Sequence, residues 1–230
     1  MMLEPAPSMP TTRRAAMTGL LAGLGALTLP GRGSAADIPP SRVFDIFRKG
    51  DLVGHHAMTF SPDPAGGFAV DHDIEIVIKI AFITAYSYRQ QGRDTWRDGV
   101  MIGSVLDTDD DGNRTRVQIT KGGDQLQVDG PAGTYAVPMG TMNDISMWNA
   151  GIMRLDHVVD GQNGQYTPIQ PQPPVAERVA VGGQMVDTKR YTVLSTKGRE
   201  GRIWYANASM EWVKGIVVTR GETLDYQLRT

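Results

Sequence analysis

The sequence predicts an all-β fold: an antiparallel meander of about ten or eleven strands, curled into a barrel or half-barrel. Three observations predict it. Apolar residues alternate with polar ones from Phe68 onward, turn signals recur at hairpin spacing, and helical periodicity is missing from most of the chain.

The elements follow in order. Val43–Arg48 and Leu52–Gly54 read as two strands about the turn Lys49-Gly50-Asp51, and Ser61–Gly67 is a loop on composition. From Phe68 to Tyr88 the even positions are Phe, Val, His, Ile, Ile, Ile, Ile, Phe, Thr, Tyr and Tyr. That is the period of a strand with one apolar face. At about 3.3 Å per residue the run is several times longer than a common strand. It must therefore bend, bulge or fold back, near Lys79-Ile80-Ala81, where apolar residues on both faces predict burial on both sides. Gln91-Gly92-Arg93 reads as the next turn, and Asp94–Leu106 as a strand that turns Trp96 toward Tyr88.

Asp107–Asn113 is a turn and Arg114–Thr120 a strand, with two short strands punctuated by Lys121–Asp124 and Asp129-Gly130-Pro131. Between 139 and 156 the rhythm breaks, and a Met-rich short helix or ordered loop fits. Tyr166–Pro174 is an extended connector. Five strands close the chain: Glu177–Val181, Gln184–Thr196, Arg199–Ala206, Glu211–Arg220 and Glu222–Leu228.

Ahead of this domain stands Thr11-Thr12-Arg13-Arg14, then a short apolar run diluted by Gly and Thr, then Gly33-Ser34-Ala35-Ala36. That is the pattern of a twin-arginine signal peptide over residues 1–36, with a single domain over 37–230. It implies a periplasmic protein that meets the twin-arginine translocase during export. The apolar run falls short of the roughly 20 residues that a spanning helix needs, so no stable membrane anchor is expected. The chain has no Cys, which excludes disulfides, thiolate catalysis and a lipid anchor on Cys, and agrees with folding before export. Removing the leader, with its three arginines and one glutamate, takes the net charge from −2 to −4. Nucleic acid is thereby disfavoured as a partner.

The sharpest pair of side chains is His56 and His72. If 52–60 pairs with 68–76, the two face each other on the apolar side, between Met58 and Ile74. Imidazoles so placed can share a metal, form a buried acid–base pair, or serve the core alone. His55 falls on the polar face opposite Asp73. Asp107-Thr108-Asp109-Asp110-Asp111-Gly112 resembles half a calcium loop, but Gln118 stands where the bidentate Glu belongs, so an acidic hairpin turn is the better reading. Tyr86, Tyr88, Trp96 and Trp148 can line a cavity or fill a core.

Several phrases carry a resemblance: Val53-Gly54-His55-His56, Ala85-Tyr86-Ser87-Tyr88, Thr95-Trp96-Arg97-Asp98-Gly99, Ser146-Met147-Trp148-Asn149 and Ile203-Trp204-Tyr205. Over most of Val43–Leu228 the chain resembles a family of uncharacterised exported β-rich proteins of alphaproteobacteria, a domain of unknown function. The resemblance implies a β-rich periplasmic fold and no activity. It maps His56 to the family's Gly-x-His phrase, and Trp204-Tyr205-Ala206 replaces the usual Trp-Tyr-Asp.

Three functions remain open. The first is a binding or carrier protein for an apolar, lipid-like or amphipathic small molecule. Its concave face would be lined by Met58, Ile74, Ile76, Tyr86, Tyr88, Trp96 and Trp148, with His56 and His72 as polar contacts. The second is a metal- or His-dependent enzyme, and the third an envelope structural protein with a filled core. No cofactor, metal or catalytic set is named by any motif.

Overall fold

A computed structural model describes residues 38–195 and 198–230. The expected leader lies outside the described residues. Among those described there are fifteen strands and one 3₁₀ turn, Ala150–Arg154. The first eight strands are β1 (Arg42–Arg48), β2 (Asp51–Pro62), β3 (Phe68–Ile80), β4 (Ile83–Arg97), β5 (Val100–Asp110), β6 (Asn113–Gly122), β7 (Gln125–Gly130) and β8 (Gly133–Pro138). After the 3₁₀ turn come β9 (His157–Val159), β10 (Tyr166–Pro171), β11 (Val175–Val181), β12 (Gln184–Ser195), β13 (Glu200–Ala206), β14 (Trp212–Thr219) and β15 (Glu222–Leu228).

They form one antiparallel sheet in the order β8-β7-β6-β5-β4-β3-β2-β1-β15-β14-β13-β12-β10-β9. The sheet is not closed. The first and last strands meet in its middle, where β1 pairs with β15, and β10 and β11 share the same edge of β12. An all-β meander is thus what the chain builds, with more strands than the sequence predicts.

The differences have physical causes. Gln91-Gly92-Arg93 is no turn; β4 runs straight through it. Gly92 is there for close approach. A Cβ at that position would stand 2.3 Å from Leu106 Cδ2 and 2.5 Å from Val105 O. The real turn is Asp98-Gly99, with positive φ at both residues, and it divides the expected strand 94–106 between β4 and β5. The acidic turn shrinks to Asp111-Gly112, and residues 166–171 are a paired strand rather than a connector.

The long run does fold back after Ile80, but its middle is not buried. Ile80, Phe82 and Ile83 are exposed at the tip of the β3–β4 hairpin. Apolar residues on both faces read as a two-sided core, yet there the tip reaches past the neighbouring strands.

Even-numbered residues of β2, β3 and β4 face inward. Along β3 the order is Phe68, Val70, His72, Ile74, Ile76, Ile78, and along β4 it is Trp96, Asp94, Gln90, Tyr88, Tyr86. One end of the interior is therefore a solid aromatic cluster. Trp148 packs edge-on against Phe60, Phe68 and Trp96, with ring centroids 5.0, 5.7 and 4.9 Å away. The segment between β8 and β9 crosses the concave side to supply Trp148. Its Asn143 bonds to Asp94 of β4, and the Tyr205 hydroxyl of β13 donates to Met147 O at 2.8 Å. Trp204 lies in a separate small cluster with Val179 and Val213, and its indole N–H donates to Glu177.

Candidate functional site

Beyond the aromatic end, the curved sheet and the crossing segment enclose a cavity of about 490 Å³. Ile74, Ile76, Ile78 and Tyr88 line it from β3 and β4, and Trp212, Val217, Leu224 and Tyr226 from β14 and β15. Met147, Ile152 and Met153 line it from the crossing segment. Apolar alternation builds this wall, because each strand turns every second side chain inward. The cavity runs toward the end of the sheet where the 49–50, 81–82, 111–112 and 220–221 turns gather. Arg48, Arg220, Glu222 and Ile80 line it there.

Charges at this rim are paired. Arg48 Nη2 meets Glu222 Oε1 at 2.6 Å, and Arg220 Nη2 meets Asp110 Oδ2 at 2.6 Å. The Tyr86 hydroxyl donates to Asp110 Oδ1 at 2.8 Å. Arg199 reaches Asp160, Asp144 and the Gln162 side chain. Burial, then the Asp110 contact, raises Tyr86 above the ordinary phenol range. Burial and then the charge of Asp144 push Tyr226 up to about 12. Burial does the same in direction for Tyr88. The cavity tyrosines are therefore neutral hydroxyls near pH 7.

The cavity floor is a buried polar chain. His56 Nε2 lies 3.3 Å from His72 Nδ1, and His72 Nε2 lies 3.1 Å from Asp94 Oδ2. The three residues are 2%, 3% and 0% exposed. Asp94 Oδ1 accepts from Asn143 Nδ2 at 2.9 Å, and Asn143 Nδ2 also donates to Ser104 Oγ at 3.1 Å. Ser146 Oγ donates to Asn143 Oδ1 at 2.8 Å and fixes the amide's orientation. Asp94 thus has donors on both oxygens, as a carboxylate requires.

For a neutral His72, the Asp94 acceptor at Nε2 places the ring proton there and leaves Nδ1 as an acceptor for His56 Nε2–H, so that His56 presents a lone pair at Nδ1. Burial holds His56 well below the usual imidazole range. It stays neutral near pH 7.

The two histidines meet, but not as directly opposed residues. The register pairs His56 with Ile74 and Met58 with His72, because β2 runs on to Pro62, which pairs with Phe68. They are diagonal neighbours on one face, still within reach. The two nitrogens of His72 are spent on different partners, so the chain of contacts does not converge on one point as metal ligands do. Among the described residues no cluster of three His, Cys, Asp or Glu could hold a metal ion. His55 Nε2 lies 3.6 Å from Asp73 Oδ2 on the outer face, although Glu75 is its register partner.

The acidic hairpin has no converging carboxylates. Asp107 pairs with Arg116, Asp109 with Arg114 and Asp110 with Arg220.

Of the nine residues expected to line a ligand site, His56, Ile74, Ile76, Tyr86 and Tyr88 are on the cavity wall. The other four are not. His72 is sealed behind His56, Met58 is fully buried, and Trp96 and Trp148 belong to the aromatic end. The sequence reading missed Asp94, Asn143, Ser104 and Ser146. Asp94 had a signal, since it shares the parity of Tyr88 and Trp96.

Fold and site define a β-barrel-like domain with an internal cavity. Residues 44–229 match the family described as Domain of unknown function (DUF6134), and the chain belongs to that family. No curated protein matches it. A similar solved structure is the "Beta-barrel-like Protein of Domain of Unknown Function DUF1849 from Brucella abortus". The likeness covers 84% of this chain and 96% of that one, at 10% identity and a TM-score of 0.56, and is one of fold alone. Among the described residues no helix is long and apolar enough to cross a membrane.

Proposed function

We propose that this domain is a binding or carrier protein which, after twin-arginine export to the periplasm, holds an apolar or amphipathic small molecule in the cavity. One observation carries the reading: an apolar space of about 490 Å³ between the sheet and the crossing segment. Small-molecule sites typically have volumes of roughly 300–1,000 Å³, mostly apolar, with few placed polar groups. Here those groups stand at the two ends, His56 at the floor and paired arginines at the rim. The body of an amphipathic ligand sits against Ile74, Ile76 and Val217, and a charged head stays at the rim in contact with water.

The test is titration of the purified protein with N-phenyl-1-naphthylamine, whose fluorescence rises in apolar surroundings. A saturable rise with one site per chain is expected. Ile76→Trp combined with Val217→Trp narrows the cavity and abolishes it. A probe bound equally by that variant, or not bound by the parent, overturns the reading.

A further inference from the structure

The hydrogen-bond order at the cavity floor leaves one group unused. His56 spends Nε2 on His72, and its Nδ1 has no hydrogen-bond partner among the described residues. Nor is it sealed in protein, since the sealed unpartnered polar atoms of the described residues are Trp96 Nε1, Trp148 Nε1 and Asp225 Oδ1. His56 lines the cavity, with Trp212 and Tyr226 edge-on to its ring at centroid distances of 5.7 and 6.4 Å. A lone pair is therefore presented to the cavity. Its direction is fixed by a carboxylate two hydrogen bonds away. A buried acceptor without a donor costs free energy, so a partner for it is favoured.

We propose that His56 is a hydrogen-bond-accepting contact residue, and that the molecule received in the cavity carries a phenol-type hydroxyl directed at its Nδ1. The inference rests on the cavity reading above. The donor must be O–H or N–H, because Nδ1 is an acceptor. A carboxylate ligand is served instead at the rim, where Arg48, Arg199 and Arg220 stand. The flat rings of Trp212 and Tyr226 beside His56 suit an aromatic hydroxyl rather than an aliphatic one.

His56 receives the hydroxyl as a hydrogen-bond acceptor, and the contacts from its Nε2 to His72 Nδ1 and from His72 Nε2 to Asp94 hold its ring in place. His72, Asp94 and Asn143 are positioning residues in this arrangement.

Matched probes test it: 2-naphthol and its methyl ether, 2-methoxynaphthalene, titrated by calorimetry. The naphthol is expected to bind about three- to tenfold tighter, the worth of one well-placed hydrogen bond. His56→Phe is expected to erase that preference and keep binding of the ether. In protein labelled with ¹⁵N-histidine, His56 is expected to show an unprotonated Nδ1 that shifts on adding naphthol and not on adding the ether. Equal affinity for the two probes, or a protonated Nδ1 in the free protein, overturns the inference and leaves the cavity reading standing. If neither probe binds, both fall. Should His56→Phe not fold, the NMR measurement on the parent protein decides alone.

Discussion

Replacing Asp94 with Leu removes the acceptor on which the whole buried chain depends. Leu has the branching of Asp, with two bulkier methyl groups in place of the carboxylate oxygens, so lost hydrogen bonds and some overpacking act in the same direction. Two donors lose their partner: His72 Nε2–H, at 3.1 Å, and Asn143 Nδ2–H, at 2.9 Å. Asn143 keeps Ser104 Oγ at 3.1 Å, so its loss is partial. Stranding a buried donor costs about 1–3 kcal/mol, and the two together, offset by relief of the carboxylate's own desolvation, give a net loss of about 2–4 kcal/mol. With a urea slope of about 2 kcal/mol/M, the unfolding midpoint should fall by about 1–2 M. The four tryptophans supply the fluorescence signal for such a measurement.

The partner substitution sharpens the test. Pairing Asp94→Leu with His72→Leu removes donor and acceptor together, so the double variant should be more stable than the sum of the single losses by at least about 1 kcal/mol. A loss under about 0.5 kcal/mol for Asp94→Leu, or strict additivity with His72→Leu, refutes the chain as described.

Three other perturbations have signs set by the structure. His56 has a depressed pKa in the folded protein, so the unfolded chain takes up its proton first as the pH falls. Its contribution is present above about pH 6.5 and is lost below, with a slope of up to about 1.4 kcal/mol per pH unit. Urea midpoints at pH 7 and pH 5.5 should show the slope, and His56→Phe should remove it. Phe82→Ser should change stability by less than about 0.5 kcal/mol while lowering dye binding to exposed apolar surface, because the Phe82 side chain is fully exposed; a larger loss in the urea midpoint contradicts that placement. Gly92→Ala should cost about 1–3 kcal/mol by the same measure, since its methyl collides with Leu106 and the Val105 carbonyl, and a neutral result shows that β5 can move away.

The fold class was legible because period two along β3 and β4 is a direct image of a one-sided sheet. Hairpin turns such as Lys49-Gly50, Asp111-Gly112 and Gly182-Gly183 were legible because their backbones need positive φ. Gly92 misled because a glycine required for close packing looks in sequence like one required for a turn. That false turn interrupted the parity linking Tyr88, Gln90, Asp94 and Trp96, and it hid Asp94 as the inward carboxylate behind His72. Asn143, Ser104 and Ser146 were beyond reach for another reason. Asn143 and Ser146 lie 49 and 52 residues along the chain from Asp94, and Ser104 and Asn143 are 39 apart, so only tertiary folding brings them together. The extent of the cavity depends on sheet curvature and on the path of the 139–156 segment, neither of which leaves a local pattern.

Native mass spectrometry of the protein purified without denaturant from its own cells tests the central claim most directly. The account predicts a small apolar or amphipathic molecule bound one to one, released on unfolding and missing from the Ile76→Trp, Val217→Trp variant prepared in the same way. A parent protein that carries no such molecule, and that takes up none when mixed with the small-molecule extract of those cells, contradicts it.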